Sequence, residues 1–226
     1  RFFGGSEKTG MGWDGVDYNT AYGIDGADRR YNPAGEYTTT AADGSDSTAY
    51  YPNQTDNYAQ QHAQLSVLHR FTPQWSLSAT AHYTHGAGYY EQYKRKKLSY
   101  WGLPYSHKAY GMYRKQLDNH FFGGVVAAKY ISEPVDVQFG GAANYYMGDH
   151  FGTLHYLEDS LILPINYEYY RNDAKKTDAN IYAKANWRII NRAQEQLSLY
   201  ADLQYRYVRY ERNGMNDEDM TDLPLE

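Results

Sequence analysis

The stretch WSLSATAHYTH, residues 75–85, alternates between apolar and polar residues. Every second residue from Trp75 to Tyr83 is apolar, whereas the residues between them are serine, threonine or histidine. A period of two places these two sets on opposite faces of a β-strand. The apolar face carries an aromatic ring near each end, at Trp75 and Tyr83. We therefore predict a strand with one apolar and one polar face.

The composition excludes several classes of protein. The chain of 226 residues has no cysteine, which excludes disulfide frameworks and thiolate metal sites. With 22 basic and 27 acidic residues its formal net charge is −5, so we expect no nucleic-acid partner. No apolar run approaches the length of a membrane-spanning helix. The 27 tyrosines suit strands, membrane interfaces and ligand-binding loops alike, and by themselves select none of these.

Six segments alternate in this way and predict an antiparallel sheet. They span residues 57–71, 75–85, 119–131, 135–146, 178–190 and 197–208. Short turns at 72–74, 132–134 and 191–196 alternate with long connections. The long segments, which we expect to form outer loops, are 4–56, 86–118, 147–177 and 211–226. Loops longer than about 12–15 residues are uncommon in soluble domains, whereas short turns at one end and long loops at the other are typical of outer-membrane barrels.

Aromatic residues near both ends of the segments favour a membrane location. Trp75, Tyr130 and Trp187 lie near the short turns, and Tyr83, Tyr145 and Tyr207 lie near the long loops. Such positions predict two aromatic girdles at the membrane–water boundaries. A tilted strand of about 12 residues spans roughly 30 Å, enough for an apolar band of about 25 Å. In the alternative, a soluble sandwich, the apolar faces would be buried against a second layer of strands.

The predicted fold is all-β, an antiparallel transmembrane β-barrel segment with an up-and-down meander and long extracellular loops. Six strands cannot close, because each edge would expose unpaired N–H and C=O groups to lipid. The chain opens on RFFGG without a signal peptide, and residues 1–3 read as the top of a rising strand. It ends in the polar tail ERNGMNDEDMTDLPLE. We therefore expect residues 1–226 to form one partial barrel domain from a larger barrel.

Several stretches resemble the mid-barrel region of TonB-dependent outer-membrane receptors of the Bacteroidetes type. The most specific are YTHGAGYYEQYK at 83–94 and LDNHFFGG at 117–124, and GGAANYYMGDHFG at 140–152 and TDANIYAKANWRI at 177–189 are also similar. The resemblance implies a barrel of about 22 strands blocked by an N-terminal plug. Such receptors lie in the cell outer membrane and import iron–siderophores, haem or cobalamin with energy supplied through TonB.

The resemblance also implies partners. We find no plug domain and no TonB box in these residues, so the plug domain and the remaining barrel strands would be partners of this segment. TonB would act through the missing N-terminal part. Outer-membrane lipid and lipopolysaccharide would surround the barrel. The ligand would be a metal chelate or a cobalamin-like molecule.

In receptors of this type the outer loops and the upper barrel capture the ligand. Two aromatic-rich stretches here, 88–115 and 148–173, predict ligand contacts, because rings and nearby cations suit flat chelates and corrins. The candidate residues are Tyr89, Tyr90, Trp101, Tyr105, Tyr167 and Tyr169. Alternatively, these rings pack loop against loop or lie at the headgroup level. We interpret the basic cluster 94–97 as a solvated loop or a contact for lipopolysaccharide phosphate.

No arrangement of residues predicts catalysis, a bound cofactor or a metal site. His82 and His85 lie three apart on a strand, hence on opposite faces, and cannot bind one metal together. His150 and His155 lie in a predicted loop, where one of them could ligate haem. The run NGMNDEDMTD lacks the spacing of a calcium loop, so we expect a solvated loop there. The alternative functions are a porin- or adhesin-type barrel and a soluble, tyrosine-rich glycan-binding sandwich.

Overall fold

The structure is a computed structural model, and it describes residues 1–215 and the backbone of residues 222–225. Its strands are β1 (Phe2–Gly10), β2 (Glu36–Thr40), β3 (Asp46–Tyr50), β4 (Thr55–Arg70), β5 (Trp75–Lys97), β6 (Lys108–Ile131), β7 (Val135–Leu157), β8 (Tyr167–Asn191), β9 (Gln196–Met215) and β10 (Asp222–Leu225). One short helix, α1 (Tyr18–Tyr22), and two 3-10 turns, Ile24–Gly26 and Leu98–Trp101, are the helical elements of the described part.

Eight of the strands form one sheet in the order β1-β4-β5-β6-β7-β8-β9-β10, and every neighbouring pair is antiparallel. The predicted all-β antiparallel meander is therefore confirmed. The sheet is open, with β1 and β10 at its edges. The remaining two strands, β2 and β3, pair with each other in a separate hairpin.

The register places most of the apolar residues of the long strands on one face, which we call the apolar face, although Val125 and Phe121 of β6 lie on the other. One row of directly paired residues across it is Val67, Ala79, Val126, Gly141, Ile181 and Tyr205. A row on the opposite, polar face is Gln64, His82, Gly123, Asn144 and Asp178. The division of faces agrees with the one predicted from the alternation.

The apolar face is exposed. Leu65, Ile181 and Leu203 are 69%, 65% and 76% exposed. This face is therefore not buried against a second layer of protein within residues 1–215, in contrast to the packing of a β-sandwich.

Two rows of aromatic rings border the apolar face. At the short-turn end Trp75 and Tyr130 are cross-strand partners with ring centroids 4.9 Å apart. At the long-loop end Tyr83, Phe122 and Tyr145 are consecutive partners across three strands, and the last two rings lie 5.6 Å apart. Residues 75 and 83 of β5 are separated by about 27 Å at ~3.4 Å per residue. We call the surface between the two rows the apolar belt.

The strands extend beyond the belt, and this corrects the predicted loop boundaries. The predicted outer loops 86–118 and 147–177 are reduced to 98–107 and 158–166, and the predicted loop 4–56 contains most of β1, the β2–β3 hairpin and α1. Beyond the belt both faces carry polar and aromatic side chains, so the alternation that reveals a strand is lost. Of the predicted loop 211–226, residues 211–215 continue β9. Residues 216–221, with most of NGMNDEDMTD, lie outside the described residues.

The buried core lies at the long-loop end, not under the belt. One cluster, which we call the roof cluster, consists of Trp101, Tyr113, Leu154, Tyr169 and Tyr170. Leu98, Leu103 and Ala109 form a second cluster beside it. Gly111 permits this packing, because a Cβ atom there would lie 2.6 Å from the Trp101 ring. The 3-10 turn Leu98–Trp101 thus folds back onto the strands, and its side chains Leu98 and Trp101 pack in these two clusters.

The β2–β3 hairpin packs on the sheet beyond the belt, on the same side as the apolar face. Tyr37 of β2 contacts Tyr93 edge-on with ring centroids 5.0 Å apart, and Tyr93 stacks on Tyr110 at 5.3 Å. The Thr38 amide donates a hydrogen bond to the Tyr110 hydroxyl at 3.3 Å. Tyrosine rings therefore attach the hairpin to β5 and β6.

Candidate functional site

A cleft of about 360 Å³ opens on the polar face at the long-loop end of the sheet. Its lining includes Glu7, Asp56, Tyr58, Tyr89, Tyr90, Lys115, His150, Tyr170, Asn172 and Arg212. These residues come from seven strands of the sheet, β1 and β4 to β9. The cleft therefore exists only because the register brings distant parts of the chain together.

Glycines of β5 make room for a ring at this cleft. Tyr58 is the cross-strand partner of Gly88. A Cβ atom at Gly88 would lie 2.7 Å from the Tyr58 ring, and one at Gly86 would lie 2.0 Å from its hydroxyl oxygen. The ring of Tyr58 therefore lies across the two glycines, which explains the sequence HGAGYY at 85–90. Such a ring covers backbone that would otherwise be exposed within the strand pair.

The cleft combines aromatic rings with charges of both signs. The Lys115 ammonium lies 6.0 Å from the centre of the Tyr170 ring. His150 Nδ1 lies 3.3 Å from the Asn172 side-chain oxygen, and the Asn172 amide donates to the Met215 carbonyl at 3.0 Å. Arg212 adds a second cation, and Glu7 and Asp56 add two carboxylates. Rings with charges of both signs in one concave site suit a flat ligand that carries charged or polar groups at its edge.

Tyr89 and Tyr90, two of the predicted ligand contacts, are residues of this cleft, and alternation along β5 places the Tyr90 side chain on the polar face and that of Tyr89 on the opposite face. The Arg114 guanidinium lies over the Tyr89 ring, 4.2 Å from its centre. Trp13 contacts the Tyr90 ring edge-on at 4.7 Å. Both rings are thus held in place by neighbours from other segments.

The other four predicted contacts lie elsewhere. Trp101 and Tyr169 are buried in the roof cluster, and Tyr167 packs against that cluster from its edge. Tyr105 is exposed in the loop 98–107, where its ring lies 5.9 Å from that of His107. The structure therefore does not bring the six residues together. Trp101 and Tyr169 pack the loop against the strands.

Burial fixes the protonation of the roof cluster. It raises the pKa of Tyr113 and of Tyr169 well above the usual value for a phenol, so both hydroxyls stay protonated. The Tyr113 hydroxyl donates to the Gln92 side-chain oxygen at 2.6 Å. The roof cluster is therefore an uncharged support beside the cleft.

A buried carboxylate supports the other side of the sheet near Tyr89. Glu91 is 1% exposed and accepts hydrogen bonds from Tyr51, from Asn53 at 2.5 Å and from Arg114 at 2.7 Å. Burial raises the pKa of Glu91, but these three donors outweigh it and hold the pKa below its usual value. Because Arg114 also lies over Tyr89, the carboxylate fixes the position of that ring.

The basic cluster 94–97 is part of β5, which corrects its interpretation as a solvated loop. The Lys94 ammonium lies 2.9 Å from a carboxylate oxygen of Asp14. The Lys96 ammonium lies 5.0 Å from the centre of the Tyr100 ring. Burial, together with Lys94 and Lys115, lowers the pKa of Lys96. At least two of these cations therefore have partners within the chain.

Sequence reasoning missed Tyr58, Lys115, His150, Tyr170 and Arg212 as residues of one site. Their signal lies in the cross-strand register, because each belongs to a different strand. Only the glycine pattern around residues 86 and 88 indicates locally that a ring from a neighbouring strand lies there.

Comparisons of the chain with protein-family models, with curated proteins and with solved structures found no match. Within the described residues, none of the helices is long and apolar enough to cross a membrane.

Proposed function

We propose that this chain is the barrel portion of a TonB-dependent outer-membrane receptor for the active uptake of a large, scarce nutrient such as an iron–siderophore, haem or cobalamin. The observation that carries the proposal is the exposed apolar belt. Apolar surface costs about 25 cal/mol per Å² in water, and monomeric soluble proteins rarely expose large continuous patches of it. The same surface is favourable against acyl chains.

The dimensions of the belt support a membrane location. Its aromatic rows are about 27 Å apart along the strand, which for a tilt of about 40° is roughly 21 Å along the membrane normal, comparable to the apolar band of about 25 Å in an outer-membrane barrel. In this orientation the apolar face contacts lipid and the polar face lines an aqueous lumen. The short turns lie on the periplasmic side, and the extended strands with the roof cluster lie outside the cell.

The open sheet supports the presence of further strands. In lipid, the free edges are residues 65–70 of β4 and most of β9, because β1 and β10 pair only with residues 55–63 and 212–215. These edges would leave backbone N–H and C=O groups unpaired, at a cost of several kcal/mol per group. Closure with remaining barrel strands removes these edges. A plug domain would then fill the lumen that the polar face borders.

The position and chemistry of the cleft support a role in ligand capture. It lies on the polar face, on the extracellular side of the belt in this orientation. Tyr58 and Tyr90 offer stacking surfaces, and Lys115 and Arg212 offer positive charge. This combination suits a metal chelate or a corrin that carries carboxylates.

Site-directed spin labelling tests the membrane location, since the chain has no cysteine of its own. Single cysteines at residues 201–206 of β9 would be labelled in the protein reconstituted in lipid vesicles. We expect labels at 201, 203 and 205 to be accessible to oxygen, which partitions into lipid. Labels at 202, 204 and 206 should be accessible to a water-soluble nickel complex. Equal access of the nickel complex to both sets would overturn the membrane location.

Two measurements separate a receptor from a porin. A receptor with its plug should show no steady conductance in a planar bilayer, and its uptake of ligand should depend on TonB. Binding would be measured with ferric siderophores, haem and cobalamin as probes. Lys115→Gln should weaken binding of the ligand, whereas Tyr105→Ala, in the loop away from the cleft, should not. Steady conductance with uptake independent of TonB would contradict the receptor and favour a porin.

A further inference from the structure

Two histidines and an aspartate meet on one face of β5 and β6, just beyond the belt. His85 and His120 are direct cross-strand partners. Asp118 lies two residues before His120, so all three side chains project from the same face. Directly opposed residues have Cβ atoms about 4.5–5.5 Å apart, close enough for both imidazoles to reach one ion.

The distances between the possible ligand atoms suit a metal ion. Asp118 Oδ1 lies 2.8 Å from His85 Nε2 and 3.9 Å from His120 Nε2. One possible ligand atom from each of the three residues lies within 4.8 Å of the other two. Ligands about 2.0–2.1 Å from a tetrahedral zinc ion are roughly 3.3 Å apart, between the two observed distances. Small side-chain rotations would therefore complete the site.

A second hydrogen bond orients one of the imidazoles. The Tyr83 hydroxyl oxygen lies 2.7 Å from His120 Nδ1. When Nδ1–H donates to Tyr83, the lone pair of Nε2 is available on the side of Asp118. Metal-binding histidines typically have such a partner on the second nitrogen, which selects the tautomer and holds the ring.

The site is open on one side. The side chains of His85, Asp118 and His120 are 32%, 51% and 39% exposed. A hollow of about 500 Å³ adjoins Asp118 and His120 and includes Asp149 and Asp173. Both of those carboxylates face cations, Arg171 at 3.0 Å and Lys175 at 3.6 Å. An ion could therefore enter from solvent and keep positions for water or an external ligand.

We propose that His85, Asp118 and His120 bind a divalent transition-metal ion of the class that imidazole prefers, with Zn²⁺ as its representative. Two nitrogen ligands and one carboxylate favour Zn²⁺, Co²⁺ or Cu²⁺ over Ca²⁺ and Mg²⁺, which take oxygen ligands. Binding replaces the hydrogen bond between His85 Nε2 and Asp118 with bonds from both groups to the ion, and a proton on Nε2 is released to solvent. This site does not depend on the membrane location or on the receptor function.

Titration of the full chain with Co²⁺ tests the site, with Zn²⁺ as competitor. We expect one equivalent of Co²⁺ to produce a visible absorption band that Zn²⁺ removes. His120→Ala and Asp118→Asn should weaken binding by about 100-fold, and Tyr83→Phe, which keeps the ring, by roughly 10-fold or more. The matched control is His82→Ala, because His82 lies on the polar face and contacts Asn144 at 3.0 Å.

A measurement on the unaltered chain guards against variants that fail to fold. Zn²⁺ should protect His85 and His120, and not His82, from modification by diethylpyrocarbonate, as read by mass spectrometry. Equal loss of affinity in the His82 variant, unchanged affinity in the His120 variant, or the absence of saturable binding would overturn the site. Uniform protection of all histidines would indicate adventitious binding and would also overturn it.

Discussion

Arginine substitutions at two adjacent valines of β6 compare the surroundings of the two faces. Val126 lies on the apolar face in a row with Ala79 and Gly141, whereas Val125 lies on the polar face between Thr80 and Ala142. The two valines are 47% and 45% exposed, so each substitution removes a similar amount of packing. A difference in stability between Val126→Arg and Val125→Arg therefore measures the medium that each face contacts.

The expected magnitude follows from the depth of Val126 in the belt. It lies four residues from Tyr130 and four from Phe122, or about 14 Å along the strand from each aromatic row. Arginine at the midplane of a bilayer costs about 2–4 kcal/mol of barrel stability. Val125→Arg contacts water in the lumen and should stay within about 0.5 kcal/mol of the unaltered chain. Leu199→Arg, beside Trp187 near the short-turn boundary, should cost only about 0–1 kcal/mol.

The free energy of unfolding would be measured by urea titration of the protein folded into lipid vesicles, followed by tryptophan fluorescence. Equal costs at Val125 and Val126 would refute the assignment of the two faces. A cost near zero at both positions would indicate that the apolar face contacts water and would contradict the membrane location. A cost at Leu199 as large as that at Val126 would refute the assigned depth.

Substitutions at the long-loop end of the sheet test its packing and its buried charge. Trp101→Ala removes a fully buried ring and should cost about 3–5 kcal/mol, with faster hydrogen exchange in 98–107. Gly111→Ala places a methyl group 2.6 Å from that ring and should cost about 1–3 kcal/mol. In the double variant the ring is absent, so Gly111→Ala should add little to the cost of Trp101→Ala alone. Glu91→Gln should flatten the acid limb of the stability curve measured against pH. The hydrogen bonds to Glu91 outweigh burial and hold its pKa below the usual 4.5, so its stabilisation is complete above about pH 4.5 and is lost as the pH falls through the lowered pKa. An unchanged acid limb in that variant would contradict the assigned role of the carboxylate.

The strands within the belt could be predicted because one physical constraint acts on every residue there. Each position faces either the apolar or the polar side, so hydrophobicity alternates with a period of two. Short turns such as 72–74 also fix the pairing of the strands they join, because a slip of one residue would move every side chain to the other face. The predicted pairing of faces in β4 with β5 follows from this constraint alone.

The same constraint does not act beyond the belt, and the prediction was wrong there. Residues 86–97 continue β5 but carry tyrosines and lysines on both faces, with Gly86 and Gly88 on the polar face. Glycines such as Gly86 and Gly88 usually indicate a loop. Here they lie within a strand, and their missing side chains leave space for the ring of Tyr58. The hydrophobic contacts that hold these extensions are made with the hairpin and with the roof cluster, whose members come from segments far apart in the sequence.

The histidine pair shows how far register could have been predicted. β5 and β6 are joined by a loop, so no tight turn sets their pairing. The aromatic rows indicate the register of β5 and β6. If Trp75 is paired with Tyr130, the same register pairs Tyr83 with Phe122 and His85 with His120. The alternation within β5 alone correctly places His82 and His85 on opposite faces. It does not show that His120 of β6 lies beside His85. The cleft requires the register of further strands and was beyond prediction from the alternation.

The tyrosines serve three environments that their number alone does not distinguish. Tyr83 and Tyr130 border the belt, Tyr113 and Tyr169 lie inside the roof cluster, and Tyr58 lines the cleft. The ring contributes apolar contact in each place, and the hydroxyl has a polar partner at some positions, such as Gln92 for Tyr113, but none among the described residues at the buried Tyr169. What separates them is the face of the sheet and the distance from the belt. An aromatic-rich loop therefore does not identify a binding surface, since its rings can equally form the core that holds the loop in place.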